Sequence, residues 1–66
     1  MISLMVDPQK ARALREAKGM STRQLAREAG VSTETIYSIE HGKRQPSVTT
    51  LTKLARALRV EVRDLF

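Results

Sequence analysis

Apolar residues recur at intervals of three and four along most of the chain, which is the spacing that places side chains on one face of an α-helix. Leu25, Ala26 and Ala29 follow this spacing, and Ile36 and Ile39 follow it again a few residues later. No segment of the sequence alternates apolar and polar residues in the manner of a half-buried strand. The pattern therefore predicts an all-α fold.

Residues that favour helix starts and ends divide this pattern into short segments. Serine or aspartate precedes most of the apolar stretches, as expected of an N-cap, and glycine follows the first three. The predicted helices run from Asp7-Pro8 to about Lys18, from Ser21 through Ala29, from about Thr33 to His41, from Pro46-Ser47 onward, and for a last turn or two within 60–66.

The core is expected to come from aliphatic residues of these helices. In the first helix the inner stripe comprises Ala11, Leu14, Arg15 and either Ala17 or Lys18, so it includes an arginine. In the later part of the chain the residues expected to face inward are Val48, Leu51, Leu54, Ala55 and Leu58, followed by Val62, Leu65 and Phe66.

The segment 22–40 contains two helical patterns joined by a connection of about three residues, Gly30-Val31-Ser32. Gly30 takes a left-handed conformation at little cost and so ends the first of the two helices. Ser32 is placed to accept backbone N–H groups at the start of the next. This is a helix-turn-helix arrangement, which serves either as a packing unit or as a DNA-contacting unit.

Length and composition exclude several classes of protein. Sixty-six residues make one small domain at most, 1–66, with the apolar segment 1–6 as an arm against the core or a second subunit. Without cysteine and with a single histidine, neither a disulfide nor a protein-built zinc site is expected. No catalytic constellation is visible, so we expect no enzyme, cofactor or small-molecule substrate. No apolar run approaches the ~20 residues of a membrane span, and we expect a cytoplasmic protein.

Charge is distributed unevenly along the chain. Twelve basic residues against seven acidic ones give a net charge of +5, which favours a polyanionic partner. Residues 1–22 hold four basic and two acidic side chains, 23–42 hold two and three, and 43–66 hold six and two. A nearly neutral centre with basic flanks suits a protein whose flanks hold phosphates while its middle contacts bases.

The third helix carries one polar face at its amino-terminal half, formed by Thr33, Glu34, Tyr37 and Ser38. An α-helix fits the major groove of DNA, and side chains near its start reach base edges. Every amphipathic helix has a polar face, however, so spacing alone leaves base contact and a solvated face equally open.

The basic side chains around the third helix also have two interpretations. Lys43 and Arg44 suit either phosphate contacts or a solvated loop that interacts favourably with the helix carboxyl end. Arg23 and Arg27 lie four residues apart and either reach flanking phosphates or form a solvated face. His41 is expected to lie at the helix end or on a phosphate rather than to act as a ligand or catalyst.

Taken in order, the motifs of the chain resemble those of the Cro/C1-type (XRE) helix-turn-helix family of phage repressors and bacterial regulators. The resemblance spans nearly all of 7–66, and the ordered set is more specific than any single motif. The matching segments are 14–21 (LREAKGMS), 24–26 (QLA), 29–32 (AGVS), 36–46 (IYSIEHGKRQP) and 54–58 (LARAL).

The resemblance implies a compact five-helix, lambda-repressor-like domain whose third helix enters the major groove. It further implies a homodimer on double-stranded DNA with a palindromic operator, its half-sites about one helical turn apart. The positions that match the family's base-contacting residues are Thr33, Glu34, Tyr37 and Ser38. Those that match its phosphate-contacting residues are Thr22, Ser32, Lys43 and Arg44, beside which Arg23 is a further candidate.

Two further features follow from the same resemblance. Arg15 and Glu40 match an internal ion pair that joins the first helix to the third, which would explain an arginine in an apolar stripe. Many members have glutamine where this chain has Thr22 and Thr33, so glutamine contacts to bases and phosphates do not transfer.

The main functional hypothesis is a prokaryotic, sequence-specific DNA-binding transcriptional regulator, acting as a repressor. The alternative is an antitoxin-like or coactivator-like module of the same fold whose main partner is a protein. In a third hypothesis the chain is the DNA-binding part of a longer regulator with a sensing domain. Fold alone does not separate these hypotheses, because function depends on the site.

Overall fold

The computed structural model describes residues 6–66. Its elements are α1 (Pro8–Ala17), α2 (Thr22–Ala29), α3 (Thr33–Glu40), α4 (Val48–Leu58) and a 3₁₀ helix, Val62–Leu65. This part of the chain contains no strand, in agreement with the predicted all-α class. The expected fifth helix is a four-residue 3₁₀ helix, a length typical of that helix type, and the backbone N–H of Glu61 donates to Oδ2 of Asp64 at 2.9 Å.

Each of the four α-helices begins with a side chain that caps its first turn. Asp7 accepts from the backbone N–H groups of Gln9 and Lys10, and Ser21, Ser32 and Ser47 each accept from the N–H group three residues ahead. These caps satisfy donors that a helix cannot pair internally. The predicted starts of the helices are therefore confirmed, while α3 ends one residue earlier than predicted, with His41 as its C-cap.

The core consists of buried aliphatic side chains from all five elements. Ile36, Leu58 and Leu65 are the most deeply buried large side chains, at 1%, 1% and 0% exposure. Helix α2 packs against α3 and α4, and α1 packs against α3. The buried set is Val6, Ala11, Leu25, Ala26, Ala29, Ile36, Ile39, Leu51, Leu54, Ala55, Leu58 and Leu65.

Some residues that the periodicity assigned to the core are exposed. Val48 is 80% exposed and Val62 36% exposed, because each is the first residue of its helix and extends beyond the end of the packed face. Ala17 and Lys18 are both exposed, so the inner stripe of α1 ends at Arg15. The assignment of these positions to the core was wrong.

Of the predicted arm, 1–6, only Val6 lies within the described residues. Its side chain is 3% exposed, and its backbone N–H donates to Oε1 of Gln45 at 3.0 Å. The next residue, Asp7, donates its N–H to the carbonyl of Leu65 at 2.9 Å. The start of the described chain is therefore attached both to the loop before α4 and to the 3₁₀ helix.

Candidate nucleic-acid interface

The turn between α2 and α3 is closed by backbone hydrogen bonds. Gly30 adopts φ +73° and ψ +33°, the left-handed conformation that glycine reaches without strain from a Cβ atom. The N–H of Val31 then donates to the carbonyl of Ala26 at 3.0 Å. Ser32 accepts from the N–H of Thr35 at 3.1 Å and starts α3. The sequence thus fixes the direction in which α3 leaves the turn.

Helix α3 has a buried side and an exposed side. Ile36 and Ile39 are 1% and 2% exposed and anchor the helix to the core. Thr33, Glu34 and Tyr37 are exposed, and Tyr37 is the large aromatic residue of this side at 51% exposure. Ser38, the fourth candidate for base contact, is half-buried. Three of the four candidates are therefore exposed.

Ser32, a candidate phosphate contact, already has hydrogen-bond partners. Its Oγ lies 2.7 Å from Oγ1 of Thr35 and also accepts from the Thr35 N–H. When the Thr35 hydroxyl donates in this pair, the hydroxyl hydrogen of Ser32 is free for an outside acceptor. Ser32 is then able to cap the helix and donate to a phosphate oxygen at the same time.

The two N-terminal ends of the helix-turn-helix present further donors. Thr22 is the first residue of α2 and is half-buried, while Arg23 is exposed beside it. At the start of a helix the first backbone N–H groups lack internal partners and favour negative charge. Glu34 benefits from the same field in the first turn of α3, although its carboxylate repels phosphate.

The loop after α3 carries Lys43 and Arg44, whose side chains are both exposed. The N–H of Lys43 donates to the carbonyl of Ser38 at 2.9 Å, and Gly42 takes φ +69° to turn the chain. Within 6–66 the salt bridges are Arg12–Glu16 and Arg15–Glu40, so neither Lys43 nor Arg44 has an acidic partner there. The two cationic side chains therefore lie in the exposed loop that follows α3 in the sequence.

Arg15 connects α1 to the far end of α3. Its Nε donates to Oε2 of Glu40 at 2.7 Å and its Nη2 to Oε1 at 3.0 Å, so the pair is bidentate. A third donor, Nη1, bonds the carbonyl of Met20 at 2.7 Å. The side chains are only 11% and 4% exposed. The hydrogen bond with Glu40 raises the pKa of Arg15 above its ordinary value, against the lowering effect of burial.

His41 has a contact that the sequence interpretation missed. Its ring stacks on that of Tyr37, with centroids 3.9 Å apart and planes inclined by 21°. Its Nδ1 lies 2.8 Å from the carbonyl oxygen of Tyr37. The spacing of four residues on a helix was the available signal, since such pairs meet on one side of a helix.

Among the residues that the structure describes there is neither a cluster of metal-ligating side chains nor a helix able to span a membrane. No group of three or more histidine, aspartate or glutamate side chains is close enough to hold a metal ion among residues 6–66. Within the same range, every helix is too short or too polar to cross a membrane.

The helix-turn-helix family model HTH_3 matches residues 12–65. An uncharacterized HTH-type transcriptional regulator of Archaeoglobus fulgidus is 39% identical over 57 residues, which cover 86% of this chain and 81% of that protein. Two HTH-type regulators of Mycobacterium tuberculosis are 42% identical over 55 residues. The alignment covers 83% of this chain but only 39% of the length of those two proteins.

Two solved structures show the same fold. The restriction-modification controller protein C.AhdI from Aeromonas hydrophila has a TM-score of 0.87 and 41% identity, covering 89% of both chains. SinR of Bacillus subtilis, a master regulator for biofilm formation solved in complex with DNA, has a TM-score of 0.86 and 34% identity. That match covers 91% of this chain and 100% of the SinR chain. The chain therefore belongs to the Cro/C1-type helix-turn-helix family of DNA-binding transcriptional regulators.

Proposed function

We propose that this chain is a sequence-specific DNA-binding domain of a transcriptional repressor, and that α3 contacts bases in the major groove. The observation that carries the proposal is the two-sided character of α3. Two isoleucines anchor it to the core, while Thr33, Glu34 and Tyr37 are exposed. A helix about 10–12 Å across fits a major groove about 12 Å wide. Solved relatives of this fold include SinR in complex with DNA.

The proposed base contacts follow from side-chain chemistry. The hydroxyls of Thr33 and Ser38 donate to or accept from either strand, and the threonine methyl suits a thymine methyl group. The Glu34 carboxylate only accepts, so its partner in the groove is the amino group of cytosine. Tyr37 brings a ring and a hydroxyl to the same side. The preferred sequence is expected to include a cytosine opposite Glu34.

The proposed phosphate contacts lie around this surface rather than within it. Residues 23–42 are net negative, with two basic against three acidic side chains, so α3 itself does not attract DNA. Lys43 and Arg44 supply cations at one end, and Thr22, Arg23 and Ser32 supply donors near the starts of α2 and α3. Contacts of this kind fix position and supply affinity without selecting sequence.

A homodimer on a palindromic operator completes the proposal. The described domain measures 35 × 20 × 19 Å, so its long dimension is close to one turn of B-DNA, about 34–36 Å. We propose that two such domains lie with this dimension along the DNA, which matches half-sites one turn apart.

Selection of bound sites from random DNA duplexes tests the proposal. We expect an enriched palindromic sequence, and an affinity for it that falls with salt by a slope of about −0.9 per phosphate contact. Lys43→Ala should weaken binding to all sequences alike and reduce that slope by about 1. Thr33→Ala should instead change the preferred sequence.

Arg56→Ala is the matched control, because it removes one exposed positive charge from α4, outside the proposed interface. If it changed the slope as much as Lys43→Ala, the loop would have no special role. Absence of any enriched sequence, together with a flat salt dependence, would refute DNA recognition. That result would instead favour a module whose main partner is a protein.

A further inference from the structure

His41 covers one face of the Tyr37 ring, and together they form what we call the Tyr37–His41 pair. The ring centroids lie 3.9 Å apart at an angle of 21°, which is a stacked arrangement. The carbonyl of Tyr37 is 2.8 Å from Nδ1 of His41 and accepts from the His41 backbone N–H at 3.0 Å. His41 is therefore held at both its backbone and its ring.

This hydrogen bond decides which nitrogen of His41 carries the proton. A carbonyl oxygen only accepts, so Nδ1 must donate, and the remaining nitrogen of the neutral ring, Nε2, has a lone pair. A neutral His41 therefore has no ring N–H left to donate to a phosphate. In this form the role of His41 at the interface is set by its contact with Tyr37.

We infer that His41 is a positioning residue for Tyr37 and thereby a determinant of sequence specificity. Tyr37 is 51% exposed, so packing against the core does not by itself fix its ring. The stacked imidazole restricts the ring before DNA arrives, and Tyr37 enters the groove in one orientation. This inference rests on the proposed function, because specificity has meaning only if α3 contacts bases.

The size of the effect follows from the cost of ordering an exposed side chain on binding. Immobilising a side chain with rotamer freedom weakens binding by roughly 2- to 12-fold. Loss of the imidazole ring should therefore weaken binding to the preferred site by about that factor. The discrimination between base pairs at the position nearest Tyr37 should also fall, because a mobile Tyr37 ring is able to contact more than one kind of base pair. Other base pairs should keep their preferences.

The pair is testable in the free protein. Tyr37 is the single tyrosine, so its ring protons give unambiguous NMR signals. We expect these signals to be displaced by the imidazole ring current in the unchanged protein and to return toward unstructured values in His41→Ala. His41→Phe should keep a displacement, because it keeps a flat ring at the same position. An unchanged Tyr37 spectrum in His41→Ala would overturn the inference without any reference to DNA.

The consequence for specificity is tested on the selected site and on its single-base-pair variants. His41→Ala should lose affinity and discrimination as stated, and His41→Phe should stay within about 2-fold of the unchanged protein in discrimination. In a Tyr37→Ala background, His41→Ala should have no further effect, because His41 acts through Tyr37. Lys43→Ala is the matched control, which weakens all sites equally.

The outcomes separate this inference from the proposed function. If the unchanged protein selects no DNA sequence, the proposed function fails, whatever the spectra of Tyr37 show. If it selects a sequence and His41→Ala keeps the same preference, the positioning role of His41 is wrong while the proposed function stands. An equal effect of His41→Ala with and without Tyr37 would likewise overturn it and indicate a direct contact by His41.

Discussion

Replacing Arg15 by methionine breaks the link between α1 and α3 while keeping an unbranched chain in place of the arginine's apolar stem. The change leaves Glu40, which is 4% exposed, without the two donors that its carboxylate oxygens now accept from. A buried charge that loses its partner costs about 3–5 kcal/mol. A 66-residue domain is stable by only about 3–10 kcal/mol. Arg15→Met should therefore remove a large part of the free energy of unfolding.

The opposite change should cost less. In Glu40→Gln the guanidinium of Arg15 keeps its bond to the carbonyl of Met20 and retains 11% exposure to water. One acceptor oxygen also remains on residue 40. We expect a loss of about 1–3 kcal/mol, the cost of weakening a buried hydrogen bond to a charged group. The structure thus predicts an asymmetry, with Arg15→Met more destabilising than Glu40→Gln.

The double replacement of Arg15 and Glu40 by methionine distinguishes a coupled pair from two independent side chains. Two apolar residues leave no stranded charge, so the double variant should be more stable than Arg15→Met alone. Urea titration followed by circular dichroism at 222 nm measures all of these variants. If Arg15→Met is too unstable to give a folded baseline in the urea titration, Glu40→Gln still gives one. Glu40→Met completes the cycle, and additivity of Arg15→Met and Glu40→Met within about 0.5 kcal/mol would refute the coupling.

The pH dependence of this pair has a defined sign. The pKa of Arg15 is raised by its bond to Glu40, so its contribution to stability is complete at every pH below the ordinary pKa of an arginine. It is lost only as pH rises through the still higher value in the folded protein. The stability that Arg15 contributes should therefore be constant from neutral pH to about pH 10. A loss within this range that Arg15→Met abolishes would contradict the assignment.

Further changes test the helix ends, and urea titration measures each of them. Ser32→Ala should cost about 1 kcal/mol by removing the cap of α3, whereas Ser32→Asp keeps an acceptor and should preserve stability while weakening DNA binding. Gly30→Ala should cost about 1–2 kcal/mol through its left-handed backbone alone, since no atom lies within 4 Å of the added Cβ. Arg59→Gly should stabilise by up to about 1–2 kcal/mol, because Arg59 holds φ +59° at the end of α4. Equal stability of Gly30→Ala and the unchanged protein, or no gain in Arg59→Gly, would contradict these backbone assignments.

The helix boundaries were predictable because they depend on local chemistry. Asp7, Ser21, Ser32 and Ser47 cap their helices through hydrogen bonds that span three residues or fewer. Such contacts join residues that are close in the sequence, so the residue types at these positions are enough to indicate them. Gly30 ends α2 for the same reason. Short-range rules therefore fixed most of the elements.

Burial at the ends of helices was not predictable from periodicity. Val48 has the correct spacing from Leu51, yet it lies at the end of α4, beyond the packed face. Whether a stripe is covered along its whole length depends on where the neighbouring helices end, and spacing does not contain that information. The contact between Arg15 and Glu40 was likewise not predictable from the spacing of residues. Twenty-five residues separate them, and only the family resemblance indicated that they meet.

The small size of the domain affects how binding experiments on the interface are interpreted. If the unchanged domain is stable by about 5 kcal/mol, a loss of 3 kcal/mol leaves about 2, and only about 3% of the molecules are unfolded. A loss of 4 kcal/mol leaves about 1, and about 15% are unfolded. Unfolding therefore lowers apparent DNA affinity by less than 1.2-fold in either case. A several-fold loss of binding in Ser32→Asp or Glu40→Gln must then come from the interface itself, either through a lost contact or through a shift of α3.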